Sequence, residues 1–269
     1  MNPYQFLRHT PGTNCGECGY PACLAFAAAV TKAGVRADLC PYLQRENLPA
    51  ELLGGAVVDA LEHRQDAQHT ALAIHLRSKM HQLDLPNLAS RLGAIWSAAA
   101  PDLLCFSYLA QPVRLGATNC FINEKQPADP RDEILLYNYV SLGSVGRGRK
   151  PDGTWVGMES LPNSLSKVRT LATYCEERLA EHFTGRAGRL VELGMTLGAV
   201  PANQSADVSL LIPVLPCVSL LLLFWDEVAE DRFTAKVKVL FDQHVLDFLD
   251  LESLVFAAER TADRLLELD

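Results

Sequence analysis

The chain has few basic residues for its size. Its 269 residues include 24 lysines and arginines against 32 aspartates and glutamates, which gives a formal net charge of −8 at pH 7. A nucleic-acid backbone or an anionic membrane is held by a basic field, and this composition does not supply one. We therefore do not expect nucleic acid among the partners.

Long hydrophobic runs are also scarce. The run that comes nearest to spanning length covers residues 208–225, and Pro213 and Pro216 interrupt it. Acidic residues flank it, without the lysines or arginines that usually border a membrane helix. Two buried strands joined at the prolines fit this pattern better. The N-terminal segment lacks the apolar stretch of a secretory signal, so we expect a cytoplasmic protein with no membrane span.

Familiar catalytic signatures are missing as well. The chain contains no phosphate-binding glycine loop, no dinucleotide-binding glycine motif, no G-x-S-x-G elbow and no H-E-x-x-H motif. Four histidines recur every six residues, namely His63, His69, His75 and His81. Six helical residues turn the chain by about 240°, so these side chains point in three directions and do not predict a metal site. Whether the protein is an enzyme is left open.

Cysteine is the residue type with an unusual distribution. Four of the eight cysteines fall within the first 40 residues at C-x2-C-x4-C-x16-C spacing, and the others are scattered. In a cytoplasmic chain, where thiols stay reduced, such a set points to metal binding before disulfides. This cysteine quartet, the candidate ligand set, consists of Cys15, Cys18, Cys23 and Cys40.

The residues around the quartet suit a metal-sulfur centre. Gly16 and Gly19 accept positive φ and let backbone N–H groups turn toward bound thiolates. Pro21 suits the first helical position, which would place Cys23 in the first turn of an alanine-rich helix. The chain that follows this helix is long enough to bring Cys40 back to the other three cysteines.

Four thiolates can hold either an iron-sulfur cluster or a zinc ion. Structural zinc sites usually consist of two short cysteine pairs on separate turns. Here three cysteines lie within nine residues and a single one follows a helix. This spacing favours a [4Fe-4S] cluster, with zinc or four free thiols as the alternatives.

The segment NCGECGYPACLAFAAAVTKAGVRADLCPYL resembles the small four-cysteine iron-sulfur domain at the N-terminus of the corrinoid iron-sulfur protein large subunit. It is also similar to a module in the B subunit of Rnf-type electron-transport complexes and in sensor and hydrogenase-related proteins of anaerobes. The resemblance covers about residues 1–45 and implies that the whole quartet ligates a [4Fe-4S] cluster. Because this module is joined to many different bodies, it specifies a cofactor rather than a reaction.

The remainder of the chain predicts an α+β fold, with a helical segment followed by a mixed α/β body with a β-sheet and flanking helices. A polar stretch, QRENLP, separates an expected cluster-binding module at 1–47 from an α+β domain at 48–269. Apolar periodicity distinguishes the elements. The predicted helices lie within 49–99, 168–179 and 251–266, and the predicted strands at 103–109, 134–142, 155–158, 209–214, 220–225 and 236–242.

This body resembles a family of bacterial and archaeal proteins known as domain of unknown function 3786. The resemblance rests on ILLYNYVSLG, on Trp155-Val156-Gly157 and on LPCVSLLLLFWDEVAEDRFTAKVKVLFDQHVLDFLDLES, and it covers roughly residues 60–269. It implies a frequent partnership with corrinoid or methyl-transfer genes in anaerobes. It implies no established reaction.

The four other cysteines show little sign of chemistry. Cys105 and Cys217 lie in apolar runs and Cys175 lies on the apolar stripe of a predicted helix, so we expect small buried residues. Cys120 stands beside Asn119 in a polar stretch, and it is the only remaining cysteine that we single out for a test of reactivity.

Two charged loops are most simply solvated connections. The alternatives are an anion or acidic-partner site at the basic loop and a partner-binding edge at the acidic loop. The basic loop contains Arg147, Arg149 and Lys150, and the acidic loop contains Trp225, Asp226, Glu227, Glu230 and Asp231.

The leading hypothesis is an iron-sulfur protein of anaerobic metabolism whose [4Fe-4S] cluster transfers single electrons to or from a redox partner protein. A negatively charged chain and an all-thiolate shell disfavour the added electron and predict a low reduction potential. In a second hypothesis the body is an enzyme or an accessory factor of a corrinoid protein, and the cluster keeps its cofactor reduced. In a third, the cluster has only a structural role.

Overall fold

The structure is a computed structural model that describes residues 2–33, 35–44, 48, 56–97, 103–228, 230 and 233–269, with the backbone alone for 33 and 56–66. Its contacts divide the chain into two units, Met1–Thr70 and Ala71–Asp269. The predicted module boundary at 47 and the predicted helical residues 49–55 lie outside the described residues.

The N-terminal unit contains two short helices that contribute to a small apolar core, together with the start of a third helix. These are α1 (Pro3–Leu7), α2 (Cys23–Ala33) and the first part of α3 (Ala56–Lys79), which continues into the second unit. Helix α1 begins at a capping box, in which Asn2 Oδ1 accepts from Gln5 N at 2.8 Å and Gln5 Oε1 accepts from Asn2 N at 2.9 Å. It packs on α2, where the rings of Phe6 and Phe26 meet edge to face at 6.1 Å.

The second unit, called the body below, contains two antiparallel sheets. The first is a meander in chain order, formed by β1 (Ile95–Ser97), β2 (Leu103–Tyr108), β3 (Gln111–Leu115) and β4 (Cys120–Ile122). The second has the order β5-β9-β8-β7-β6, and its strands are β5 (Trp155–Gly157), β6 (Val200–Pro201), β7 (Val208–Leu215), β8 (Val218–Trp225) and β9 (Lys236–Asp242).

The hydrophobic run at 208–225 is a β-hairpin. Strands β7 and β8 pair antiparallel along this run, and Pro216 and Cys217 form the connection between them. Most of their side chains are buried, which explains the near-continuous apolar sequence. The prediction of two buried strands joined at the prolines is confirmed. Among the helices of the described residues, none has the length and apolar character needed to cross a membrane.

Helices surround these sheets. They are α4 (Leu85–Leu88), α5 (Pro130–Val145), α6 (Leu165–Leu171), α7 (Glu177–Phe183), α8 (Ala187–Thr196) and α9 (Leu251–Glu267), and a π-helical turn (Ala172–Glu176) joins α6 to α7. Helix α9 contacts α5 and α6. Its amphipathic pattern is the one that the sequence predicts for 251–266. The α+β fold class is confirmed, as are the strands predicted at β2, β5, β7, β8 and β9.

The prediction of a strand at 134–142 is wrong, because this segment belongs to helix α5. The helix starts where Asp129 Oδ1 accepts from Arg131 N at 2.8 Å and Pro130 occupies the first turn. Its side chains are buried on several faces, so no polar face marks the helical period. The buried residues include Ile134, Leu135, Leu136, Tyr137, Tyr139 and Val140.

The prediction of helices throughout 49–99 is also wrong after Leu88. Helix α4 ends at Leu88, and Ile95 and Trp96 lie in strand β1. Between them Gly93 has a φ of +61°, a left-handed conformation that does not continue a helix. An added Cβ at Gly93 would lie 2.7 Å from Cβ of Pro216. A close tertiary contact therefore decides the conformation of this segment.

We expect Gly93→Ala to lower the free energy of unfolding of the body by about 1–3 kcal/mol. The new methyl group combines an unfavourable φ with a steric clash against the β7–β8 turn. Chemical denaturation followed by circular dichroism measures the change.

The matched control is Gly188→Ala in helix α8, where an added Cβ meets nothing within 4 Å. This change should be neutral or stabilise the body by about 0.4–1 kcal/mol. Equal effects of the two substitutions would contradict the role assigned to Gly93.

Candidate metal centre

The loop that carries the first three cysteines is shaped by backbone conformations that glycine favours. Gly16 and Gly19 have φ values of +79° and +81°, as the sequence predicts. Gly19 N donates to the carbonyl oxygen of Gly16 at 2.9 Å, which closes a tight turn around Cys18. Asn14, at the start of the loop, is also left-handed, with a φ of +50°. The loop therefore curls back on itself before α2 begins.

A side chain from this loop holds the start of α2. Asn14 Oδ1 accepts from the backbone N of Cys23 at 2.8 Å, so a polar side chain satisfies an otherwise unpaired N–H at the helix start. Cys23 lies in the first turn, as predicted. Pro21 is not at the first helical position, which corrects the prediction: the helix begins two residues later, at the N–H that Asn14 engages.

Cys40 lies on a segment that returns to the N-terminal residues. It follows a 3-10 turn at Ala37–Leu39, and Gln44 N donates to the carbonyl oxygen of His9 at 2.9 Å. The hydroxyl of Tyr42 donates to Glu17 Oε1 at 3.2 Å, which links this segment to the cysteine loop. The return of the chain that the sequence predicts is therefore present.

The pKa of Cys40 depends on its burial and on the charges of the other three thiols. Burial raises the pKa of Cys40 above its ordinary value, a hydrogen bond from the Tyr42 backbone opposes this, and charge on Cys18, Cys15 and Cys23 raises it further. The pKa of Tyr42 is raised by its hydrogen bond to Glu17, with smaller contributions from Cys15 and Cys40. The charges of the other three cysteines therefore act on Cys40 in the same direction as its burial.

The four cysteines of the quartet differ strongly in their exposure to solvent. Cys15 is exposed and Cys18 is half-buried, whereas Cys23 and Cys40 are 7% and 4% exposed. One side of the quartet thus faces water and the other adjoins the core of the N-terminal unit. That core contains Phe6, Phe26, Ala27, Val30, Ala37, Cys40, Leu43 and Leu48.

The donor set fits an iron-sulfur cluster in its chemistry. All four cysteines are free thiols, and thiolates are the ligands that iron-sulfur clusters take. Within the described residues, which include the quartet, no three or more His, Cys, Asp or Glu side chains form a group that could hold a metal ion. The side chain of His63, one member of the histidine series, lies outside those residues. Ligation by the cysteine quartet stays a prediction.

Cys120, the cysteine singled out for a test of reactivity, lies in surroundings that disfavour it. Cys120 opens strand β4 with its side chain only 3% exposed. Burial raises the pKa of this thiol to about 12, and the charges of Glu133 and Asp132 add to that effect while Arg77 opposes it. A thiol in such surroundings is protonated and unreactive at neutral pH. The polar neighbours in sequence gave no sign of this, because alternate strand residues face opposite sides.

The other three cysteines of the body differ in burial. Cys175 and Cys217 are buried, as predicted, and burial raises the pKa of Cys175. The thiol of Cys217 donates to the carbonyl oxygen of Arg91 at 3.7 Å. Cys105 is half-buried, which is less than the burial that its apolar run predicts.

The two charged loops are held by specific hydrogen bonds. In the basic loop the Arg149 guanidinium pairs with Asp247 at 2.9 Å, while Arg147 and Lys150 are exposed. In the acidic loop Asp226 Oδ1 accepts from Gly185 N at 2.8 Å. Residue 231 of the acidic loop lies outside the described residues.

Comparison with known proteins identifies the class of both parts. A family model for an Fe-S cluster matches residues 11–42, which include the whole quartet, so the chain is an iron-sulfur protein. The chain belongs to the family described as domain of unknown function (DUF3786), whose model matches residues 84–264. No solved structure matches it.

Individual relatives resemble only a short part of the chain. The acetyl-CoA decarbonylase/synthase complex subunit gamma 1 of Methanosarcina thermophila is 38% identical over 52 residues, which cover 19% of this chain and 11% of that protein. The corrinoid/iron-sulfur protein large subunit of Moorella thermoacetica is 43% identical over 49 residues, 17% of this chain and 11% of that protein. An uncharacterised protein of Methanocaldococcus jannaschii is 43% identical over 42 residues, 16% and 19% of the two chains. The chain thus spans between a tenth and a fifth of these relatives.

Sequence reasoning missed the residues that support the quartet. Asn14 contacts the helix start from nine positions away, and the Tyr42–Glu17 hydrogen bond joins residues 25 positions apart. Neither pair has a local spacing that would indicate its contact.

We expect Cys105 to react with iodoacetamide at least tenfold faster than Cys120 in the folded protein at pH 8. Thiolate is the reacting form, and Cys120, with its pKa raised to about 12, is almost entirely protonated and also inaccessible. Peptide mass spectrometry gives both rates. The two cysteines should react alike in denaturant, which is the control, and equal rates in the folded protein would contradict the burial of Cys120.

Proposed function

We propose that the quartet binds a [4Fe-4S] cluster and that the protein transfers single electrons to or from a partner protein. The proposed cluster-binding module is residues 1–47, and the body at 48–269 provides docking or holds a ligand. The observation that carries this proposal is the match of an Fe-S cluster family model to residues 11–42, which include all four cysteines. A bound cluster supplies one-electron redox chemistry, which needs no general base.

Residues of this chain would fix the positions of the ligands. Asn14 holds the start of α2 and with it Cys23, and the turn between Gly16 and Gly19 positions Cys18. The hydrogen bond between Tyr42 and Glu17 connects the Cys40 segment to this loop. Ligands held in place by the fold lower the cost of binding metal and stabilise one geometry in both oxidation states.

The exposure of the cysteines supports electron exchange on one side. Cys23 and Cys40 are buried, and Cys40 belongs to the core around Phe6 and Phe26, whereas Cys15 faces solvent. A redox partner would therefore approach closest at Cys15. Tyr42 lies within electrostatic range of Cys15 and Cys40, and it donates a hydrogen bond to Glu17.

A corrinoid protein is the candidate partner. Two relatives of the N-terminal segment are named a corrinoid/iron-sulfur protein large subunit and an acetyl-CoA decarbonylase/synthase subunit. The similarity covers the iron-sulfur segment and not the body, so it supports the kind of partner more than the reaction. Addition of the reduced protein to oxidised corrinoid protein tests this partnership. An unchanged cobalt spectrum would contradict it.

We expect the anaerobically purified chain to contain about four irons and four sulfides, and its reduced form to give an electron paramagnetic resonance signal. Cys18→Ser should remove most of the iron because it deletes one of four ligands. Iron and sulfide analysis measures the loss.

The matched control is Cys175→Ser, which changes a buried cysteine of the body. This variant should lower stability while keeping the iron content of the unaltered chain. Zinc as the bound metal, or equal iron loss in both variants, would overturn the cluster assignment. If no physiologically plausible potential reduces the cluster, the cluster has a structural role and does not transfer electrons.

We expect Glu17→Gln to raise the reduction potential of the cluster. Glu17 accepts a hydrogen bond from Tyr42, and the charges of Cys15 and Cys40 act on Tyr42. Replacing the Glu17 carboxylate by an amide therefore removes one negative charge near the quartet. Redox titration followed by electron paramagnetic resonance measures the shift. Glu177→Gln removes an equal charge from helix α7 of the body and should leave the potential unchanged; an unchanged potential in Glu17→Gln would contradict the prediction.

A further inference from the structure

The body contains a cavity of about 430 Å³ that the proposed electron transfer does not use. It lies between the β2–β3 hairpin, the segment that follows β4, and the C-terminal half of helix α9. Its volume is within the range of sites that bind small molecules. The lining contains both polar and apolar side chains, so it can select a ligand by chemistry as well as by size.

A buried hydrogen-bonded ion pair forms one wall of this cavity. The Tyr108 hydroxyl donates to Asp132 Oδ1 at 2.7 Å, and Arg260 donates to both oxygens of the same carboxylate, at 2.8 and 3.1 Å. Tyr108 and Asp132 are 3% and 6% exposed. The two donors of Arg260 match the two oxygens of Asp132 in geometry, which makes this wall rigid. The opposite charges of the two side chains compensate each other.

The mouth of the cavity carries positive charge. Arg264 Nη1 donates to Glu267 Oε2 at 2.7 Å, so Glu267 compensates the charge of that arginine. Lys125 is exposed, and its ammonium has no hydrogen bond or ion pair among the contacts of the described residues. An uncompensated ammonium at the mouth attracts a single negative charge.

The apolar part of the lining restricts the kind of anion. Leu109, Ile122, Pro127 and Ala128 contribute to the wall. An inorganic ion would leave these side chains facing water, whereas a ring or a short carbon chain would cover them. The ligand that fits is therefore an organic anion rather than a bare inorganic one.

Two turns that border the cavity have fixed backbone conformations. Leu109 and Ala110 have φ values of +46° and +60°, and Asn123 and Glu124 have values of +49° and +64°. Such values are unfavourable for residues other than glycine and persist where surrounding contacts hold them. Leu109 N donates to the carbonyl oxygen of Val214 at 3.0 Å, which ties one turn to strand β7. These turns give two borders of the cavity a defined backbone conformation.

We propose that this cavity is a binding site for a small organic carboxylate with an apolar ring or chain. Lys125 meets the carboxylate, and the apolar wall at Leu109 and Ile122 covers the ring or chain. The side-chain amides of Asn123 and Gln126 in the lining recognise its polar substituents. This site is separate in its residues from the cysteine quartet, so it does not depend on the proposed cluster.

Equilibrium dialysis of the full chain against three probes tests the proposal. The probes are 4-hydroxybenzoate, its neutral analogue 4-hydroxybenzamide, and phenyl phosphate. We expect 4-hydroxybenzoate to bind at least tenfold more tightly than the amide. Absence of 4-hydroxybenzoate binding at millimolar concentration, or equal binding of acid and amide, would overturn the proposal. Phenyl phosphate binding tenfold tighter than the carboxylate would overturn the assignment to carboxylates.

Two variants test whether 4-hydroxybenzoate binds in the cavity. Lys125→Met should weaken 4-hydroxybenzoate binding at least tenfold, while Lys150→Met, which removes another exposed lysine, should leave it unchanged. Ala128→Trp fills the cavity with an indole and should abolish binding of the acid. Unchanged binding in both Lys125→Met and Ala128→Trp overturns the proposal. Because dialysis measures the probe alone, its outcome is distinguishable from the presence or absence of iron.

Discussion

Burial of the Cys40 thiol is the constraint on which the candidate centre depends. The segment that carries this thiol is held beside the cysteine loop by the hydrogen bonds from Gln44 to His9 and from Tyr42 to Glu17. A thiolate is costly in an apolar core, and the raised pKa of Cys40 expresses that cost. In the proposed centre, coordination by iron offsets it, so metal binding and folding of the N-terminal unit are coupled.

The body is organised by a core of its own. Strands β7 and β8 and the buried helix α5 supply much of its apolar interior, and α9 packs against α5. Charged side chains between α5 and α9 are compensated in pairs, as Arg260 is by Asp132 and Arg131 by Asp263. This compensation permits buried charge beside a cavity, because each charge has a hydrogen-bonded partner of opposite sign.

Much of the architecture could be predicted because its signals are local. The β7–β8 hairpin follows from two apolar runs separated by prolines, and α9 from its regular apolar spacing. Segment 134–142 could not be predicted from periodicity, since a helix buried on several sides has no polar face. The interrupted helix after Leu88 depends on the contact of Gly93 with Pro216, which are 123 positions apart and therefore invisible to a local pattern.

The sequence by itself determined the candidate ligands, because thiol chemistry and cysteine spacing are properties of the chain. It also determined the α+β class and the membership of the body in its family. Only the tertiary structure decided which thiols are exposed, that Cys120 is buried and protonated, and that a polar cavity forms beside α9. These properties arise from residues distant in sequence that share one environment, and burial, pKa and cavity shape are properties of that environment.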